Sequence, residues 1–592
     1  MNAALHDKLL KTVLPKSILT AFCLVFFTAY YNSQTALDIN ADVDTLKSSY
    51  KASGELTKVD LLPPYSMSTF GYNSSSSSFN FVNPFQFLPS GAQLYPFKEP
   101  FPMRYTSLPH ISFAYCFGSS GFQFTKVQYS QAFLKGVIIN LDFSNNQSAG
   151  ILRNSAYQDR DVLLRISKST KRLHSLVSAQ FVNRNFQWNG GITNDSLPLD
   201  FSLDLIPVNK SDASSTNKEV NIGLLNKFTI KNDSIRKIGL YLSNVFLSKN
   251  RIYTETGNLS SSYSMINFDS TETRDHFQIS TLENEIGTDI HQGHWKLNAG
   301  LMQRFWNFRN NQIYRDTLEL AVKESIQYSS QSIRFNQSFE YFIRGRSVSY
   351  SNKTKYTMNF GKWNVLADWS IENSLPDLLQ RHYSANNVNY QLQSYQLQFK
   401  NNIGLSTSYS FAKHTIGMKA SHMFLKNPYF FDGQIWKNDI YTSLQLFKMD
   451  FTVDFHWKRF SFNPQYSLLL QPTNLTFHPT HVAKARIGLK GGIFKNKKLQ
   501  SYIGIEPQWI GSYNRISFLP VMDVFLVNQL AAKQKGFFDL AFYTGFELKG
   551  FRFFARAENM GYFWNNRMLQ TVKGYPIPPL QIRLGITWDF WN

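Results

Sequence analysis

Charged and other polar side chains recur at alternate positions inside otherwise aromatic or aliphatic stretches of this chain. Ile333, Phe335, Phe339, Tyr341 and Ile343 alternate with Arg334, Asn336, Ser338, Glu340 and Arg344. Trp363, Val365, Ala367, Trp369 and Ile371 alternate with Asp368 and Glu372, and Phe451, Val453, Phe455 and Trp457 with Asp454 and His456. Over the clearest stretches, one parity carries eight cations: Arg165, Lys296, Arg334, Arg344, Lys419, Arg552, Arg556 and Arg583. Against them stand six anions: Glu340, Asp368, Glu372, Asp454, Glu558 and Asp589. Charges ringed on one wall sort ions by sign, so eight against six predicts a mixed wall with at most a mild preference for anions. The rival reading is that the same residues pair across neighbouring strands and fill a closed interior.

Other chemistries find no constellation. There is no H-E-x-x-H, no G-x-S-x-G, no P-loop and no dinucleotide fingerprint. His110, His174, His422 and His478 are scattered. His291 and His294 could both ligate a metal, but they sit at a turn and lack a third ligand nearby. Glu283 and Glu285 lie two apart, a spacing that suits a wall as well as an acid–base pair. No catalytic residue, cofactor or metal is expected.

The charged residues must be held by strands. The repeat is two residues, not 3.6. The final stretch, Leu580–Phe590, alternates without a break: Leu, Ile, Leu, Ile, Trp, Phe on one parity and Gln, Arg, Gly, Thr, Asp on the other. A tilted strand of about 9–11 residues spans a bilayer, and apolar-out, polar-in strands with aromatic girdles are what a transmembrane barrel requires. Aromatics make up 16% of the 592 residues, with 52 Phe, 30 Tyr and 11 Trp. A soluble sandwich shares the alternation; the aromatic excess, the final strand and the N-terminal segment decide against it.

That segment begins with Lys8, Lys11 and Lys16 ahead of the apolar run Ser17–Tyr31, which reads as a secretory signal peptide over residues 1–36. Residues 37–100 carry Pro63–Pro64, the serine run Ser74–Ser78 and four further prolines. They read as an irregular segment, periplasmic or a plug tucked into the barrel mouth. Residues 101–592 are the barrel. Short connections at Ser410–Thr415, Trp457–Phe460 and Leu548–Phe551 alternate with longer polar ones at 189–218, 249–274, 373–390 and 425–439. With both termini periplasmic the strand number is even; the segments suggest about 14–22 strands, 16 or 18 being favoured.

Net charge is +21, but no run of five or six like charges concentrates it. Nucleic acid is therefore not a partner. Outer-membrane lipid, lipopolysaccharide phosphates and small anionic or neutral solutes are the partners this balance suggests. Once the signal peptide leaves with Cys23, Cys116 is the one remaining cysteine, so no disulfide framework exists.

Two regions resemble a known family. Phe518–Leu530 (FLPVMDVFLVNQL), Phe551–Met560 (FRFFARAENM) and Tyr575–Asn592 (YPIPPLQIRLGITWDFWN) resemble the outer-membrane β-barrels described as putative porins of Bacteroidota. Gln128–Gln131, Ser148–Gly150 and the Asn189–Gly190–Gly191–Ile192 turn look like that family's early strands. The resemblance implies an outer-membrane barrel of a Gram-negative cell, allowing passive or weakly selective diffusion. The alternative is a non-conducting structural or assembly subunit of a secretion or surface-protein complex. Trp588 and Phe590, on the lipid-facing parity of the last strand, are the residues expected to signal to the barrel assembly machinery.

Overall fold

Lipid offers no partner to an open strand edge, so a chain patterned in this way must close its sheet. The computed structural model describes residue 104 and residues 108–591, apart from short segments at 134–135, 234, 345–346, 377, 393, 439–441, 472–478, 495–497 and 527–532. The signal peptide and the Pro/Ser-rich segment fall outside the described residues.

The fold is all-β, a closed barrel of twenty-two antiparallel strands. In chain order these are β1 (His110–Gly118), β2 (Phe122–Ala132), β3 (Val137–Ser148), β4 (Tyr157–Ser169), β5 (Leu173–Gln187), β6 (Ser214–Asn232), β7 (Arg236–Thr256), β8 (Glu272–Gln292), β9 (Trp295–Asn310), β10 (Tyr314–Ser329) and β11 (Ile333–Arg344). They continue with β12 (Ser347–Phe360), β13 (Trp363–Ser374), β14 (Gln398–Phe411), β15 (His414–Lys426), β16 (Ser443–Trp457), β17 (Phe460–Leu470), β18 (His481–Gly492), β19 (Leu499–Ile510), β20 (Phe537–Leu548), β21 (Phe551–Glu558) and β22 (Gln581–Trp591). Closure comes from β1, which pairs with β2 on one side and with β22 on the other, Phe113 opposite Trp588 and Ile111 opposite Phe590.

The number is even, at the top of the expected range and above the favoured 16 or 18. β12 shows why it was undercounted. Its run Ser347–Lys355 has no aromatic alternation beyond Tyr350, because its outer face carries Asn352 and Thr354. The two-residue turns do not all carry glycine. Gly293 and Gly361 take positive φ there, but Ala412, Lys458 and Lys549 occupy the same left-handed region without glycine.

Connections at one end of the barrel have two to six residues, such as 412–413, 458–459 and 549–550, where the sequence places them. The other end carries 188–213, 257–271, 375–397, 427–442, 511–536 and 559–580. Long loops face outside and short turns the periplasm in bacterial barrels. Chain polarity agrees, since β1 rises from the short-turn end and β22 descends to it.

Over several inner-wall glycines a ring lies across the strand. The Tyr543 hydroxyl stands 2.5 Å from where a Cβ of Gly488 would project, and that of Tyr241 lies 2.6 Å from the corresponding point at Gly300. These rings brace adjacent strands, as aromatics laid over sheet glycines do.

Candidate functional site: inner wall and outer cap

Strand register decides which face each charge takes. On β22, Ile582, Trp588 and Phe590 are exposed on the outside, while Gln581 and Arg583 are buried on the inside. Following the paired residues round the sheet puts all eleven candidate lumen residues, and Glu372, Glu558 and Asp589, on inward register positions.

Their surroundings differ by sector. On β18–β22 they form one ion-pair chain across the wall. Arg486 Nε meets Glu506 Oε1 at 2.6 Å, and Arg556 Nη2 meets Glu506 Oε2 at 2.6 Å. Arg556 Nε then contacts Glu558 Oε1 at 2.8 Å, and Arg583 Nε reaches Glu558 Oε2 at 3.3 Å. Arg552 pairs with Glu547 at 3.6 Å, Asp454 with His456 at 2.8 Å and Asp589 with His110 at 3.8 Å. Arg165 is buried, with neither terminal guanidinium nitrogen hydrogen-bonded among the described residues.

The sector from β9 to β15 is more open. Arg334, Lys353, Lys355 and Lys419 are exposed on the inner face, and Lys296 half-exposed. None of the five makes an ion pair with another described residue. Lys355 stands directly opposite Asp368, and Lys323 opposite Glu340, in the strand register. Arg344 holds the register position opposite Ser347. His291 lies 3.4 Å from Asp289, while His294 Nδ1 contacts the Ser329 carbonyl at 2.9 Å; among the described residues no cluster of three metal-ligating side chains forms.

Two features escaped sequence reasoning. The first is Arg104. Its amide donates to Asn140 Oδ1 at 2.7 Å, its guanidinium to Asp142 at 2.7 Å, and its carbonyl accepts from Ser130 and Asn140 at 3.0 Å. The chain entering β1 is thus clamped to the inner wall.

The second is a cap. The long loops do not stand out as polar arms; they fold together into one apolar core with inward residues at the outer strand ends. Trp188 packs at a tilt against Phe518, ring centroids 5.1 Å apart, and Tyr390 and Trp436 flank Phe431. Loops from distant arcs meet: Ile192 N donates to Gly574 O at 2.8 Å, Asn267 N to Asn386 O at 2.8 Å, and Arg515 pairs with Asp195 at 3.0 Å. The wall holds the cap through Arg251, whose guanidinium donates to the carbonyls of Val521 at 2.7 Å and Pro520 at 2.6 Å, while Tyr383 Oη donates to Val521 O at 3.3 Å. The readable signal was composition: Tyr429–Phe430–Phe431 and Trp436 are too apolar for a solvated loop.

Beneath the cap a cavity of about 40 Å³ is lined by Asn217, Glu219, Lys249, Arg251, Tyr383 and Asp523. Glu219 pairs with Arg184 at 2.7 Å and with Lys249 at 3.8 Å. Asp523 is buried with both carboxyl oxygens lacking a hydrogen bond. Burial pushes its carboxyl up to about 7, against the opposing pull of the Arg251 and Arg184 charges.

The motif segments divide between cap and wall: Asn189–Ile192, Phe518–Leu526 and Tyr575–Leu580 sit in the cap, while Phe551–Glu558 and Gln581–Trp591 are β21 and β22 themselves. Gly190 and Gly191 take positive φ, and Gly191 abuts Gly574, also at positive φ, next to Tyr575. A Cβ on Gly191 would come 3.0 Å from Gly574 backbone. Two motifs some 380 residues apart in sequence therefore meet at one point of the cap. The family model described as "Putative porin" matches residues 27–592. The chain belongs to this porin family. No curated protein sequence matches it. Among solved structures it is similar to the copper transporter OprC, at 11% identity over 83% of this chain and 82% of that one, with a TM-score of 0.62. It is also similar to the FrpB iron transporter from Neisseria meningitidis, at 11% identity over 82% of each chain and a TM-score of 0.58. The siderophore receptor PirA from Acinetobacter baumannii matches at 10% identity over 82% of this chain and 81% of that one, with a TM-score of 0.59. The porin is an outer-membrane barrel of this twenty-two-stranded kind.

Proposed function

We propose that this porin is a gated conduit for small solutes, closed at the outer mouth by its own loops and opened when they part. The observation that carries this reading is the cross-barrel apolar core of the cap, which stands above a polar wall with an open, cation-bearing sector. A permanently open diffusion pore has no use for Trp188 and Phe431 buried across its entrance. The wall then sets a mild preference for anionic or neutral solutes, because its exposed cations are Arg334, Lys353, Lys355 and Lys419 while many of the remaining charges are neutralised in pairs. The transporters and receptor of similar fold carry metal or siderophore in their names; the shared scaffold supports passage through the barrel and says nothing of cargo. Export by a signal peptide, insertion by the assembly machinery through Trp588 and Phe590, and a lipopolysaccharide shell belong to the same reading.

Proteoliposome swelling tests it. Vesicles holding the intact porin should exclude small sugars, and vesicles holding a variant with residues 511–536 replaced by a short Gly/Ser linker should admit them. A second reading, a non-conducting subunit of a larger assembly, is favoured by the same sealed mouth. It predicts that the trimmed barrel still excludes the sugars.

A further inference from the structure

Most of the outer face obeys the rule for a lipid-exposed barrel. Every outward position of β21 and β22 is Phe, Ala, Ile, Leu or Trp. One arc breaks it. On β10 the outward residues run from Tyr328 to Leu318, a height of about 25 Å at the usual strand rise and tilt, which is that of the apolar band. Glu324 stands within that run, exposed, between Ile326 and Val322, with Ala299 and Phe339 opposite it. Gln337 lies opposite Ile326, one step away diagonally. Higher up, Asn244, Asn284 and Gln303 occupy one rung across β7, β8 and β9, the first donating to the second at 2.8 Å. The side chains of Glu324, Gln337 and Gln303 make no hydrogen bond with any described residue.

Carboxylate and amide groups facing acyl chains have nothing to bond to, and intramembrane polar groups persist where another group meets them. The chemistry of the patch indicates what meets it. Amides both donate and accept, so a cluster of them is complementary to itself. Glu324 accepts and the neighbouring Gln337 donates. A two-fold axis along the membrane normal, passing between these adjacent strands, sets each Glu324 against the Gln337 of a second copy, which is the reciprocal arrangement an isologous contact requires. We propose that the porin pairs with a second copy of itself through the outer face of β9–β11, centred between Glu324 and Gln337.

The test is crosslinking in native outer membranes. Ile326→Cys places a thiol beside the proposed axis without touching the polar groups, and Leu584→Cys places one on the far wall. The native Cys116 is buried and is retained in both. A short bis-maleimide should convert most of the Ile326→Cys protein to a species of twice the chain mass yielding peptides of this chain alone, and leave Leu584→Cys monomeric. In mild detergent, light scattering should read two chains for the native porin and one for Glu324→Leu with Gln337→Leu. A monomeric Ile326→Cys protein, a crosslink to a different polypeptide, or a double variant that stays at two chains would each overturn the proposal.

Discussion

At the scale of single residues, the inner wall is held by contacts whose loss has a calculable sign. Arg556 is the hub of the β18–β22 ion-pair chain, buried between Glu506 and Glu558. Replacing it with Met leaves two carboxylates facing each other without their cation. We expect a loss of about 3–5 kcal/mol, the cost of breaking a buried pair from one side. Lys231→Met, which removes a partner of Asp233 in a solvated turn, should leave stability essentially unchanged. Denaturant unfolding in detergent compares the two; equal losses would show that the wall chain is solvated. The ring-over-glycine contacts make a double-mutant cycle. Gly488→Ala forces its Cβ against the Tyr543 hydroxyl and should cost about 1–3 kcal/mol. Tyr543→Phe in the same chain should recover most of that, giving a favourable coupling term. An additive pair would mean that the ring does not bear on Gly488.

At the scale of elements, strands and cap respond to different questions. Period-two alternation made β11, β13, β16 and β22 legible from sequence, because their outer faces are almost wholly apolar. β12 was not, because Asn352 and Thr354 erase the contrast between its faces. The wall charges were legible for the same reason as the strands: parity alone places Arg334 or Asp368. Their pairing was not, because ion pairs such as Arg486–Glu506 and Arg556–Glu506 join residues 20 to 50 positions apart. The cap was invisible to periodicity, having none; only the aromatic content of 427–442 and 511–536 pointed to it. Its hold on the wall gives a pH prediction. Asp523 has a raised carboxyl value while buried in the closed cap and an ordinary one once exposed. The closed state therefore binds more protons. Closure is fully supported below the ordinary carboxylate value and weakens as pH rises through about 7. Glu219, Lys249, Arg184 and Arg251 share that cavity region, so the control is specific. Asp523→Asn should flatten the increase in open probability between about pH 5 and about pH 8, and an unchanged slope would assign the effect to a neighbour.

At the scale of the whole molecule, the barrel must close before it can gate. β22 pairs with β1 along nine residues and with β21 along eight, so deleting Trp588–Asn592 should abolish insertion, with degraded or periplasmic protein on membrane fractionation. Removing five residues from 257–271 should leave outer-membrane levels unchanged. With the barrel intact, the account rests on the cap being a gate above a conducting lumen. Single-channel recording in planar bilayers tests this most directly. The intact porin should be silent or open only in brief events at neutral pH. Arg251→Met, which releases the Pro520 and Val521 carbonyls, should open more often, and the 511–536 replacement should give a large steady conductance with mild anion preference. A large steady conductance from the intact porin, or silence from the loop replacement, would contradict the account.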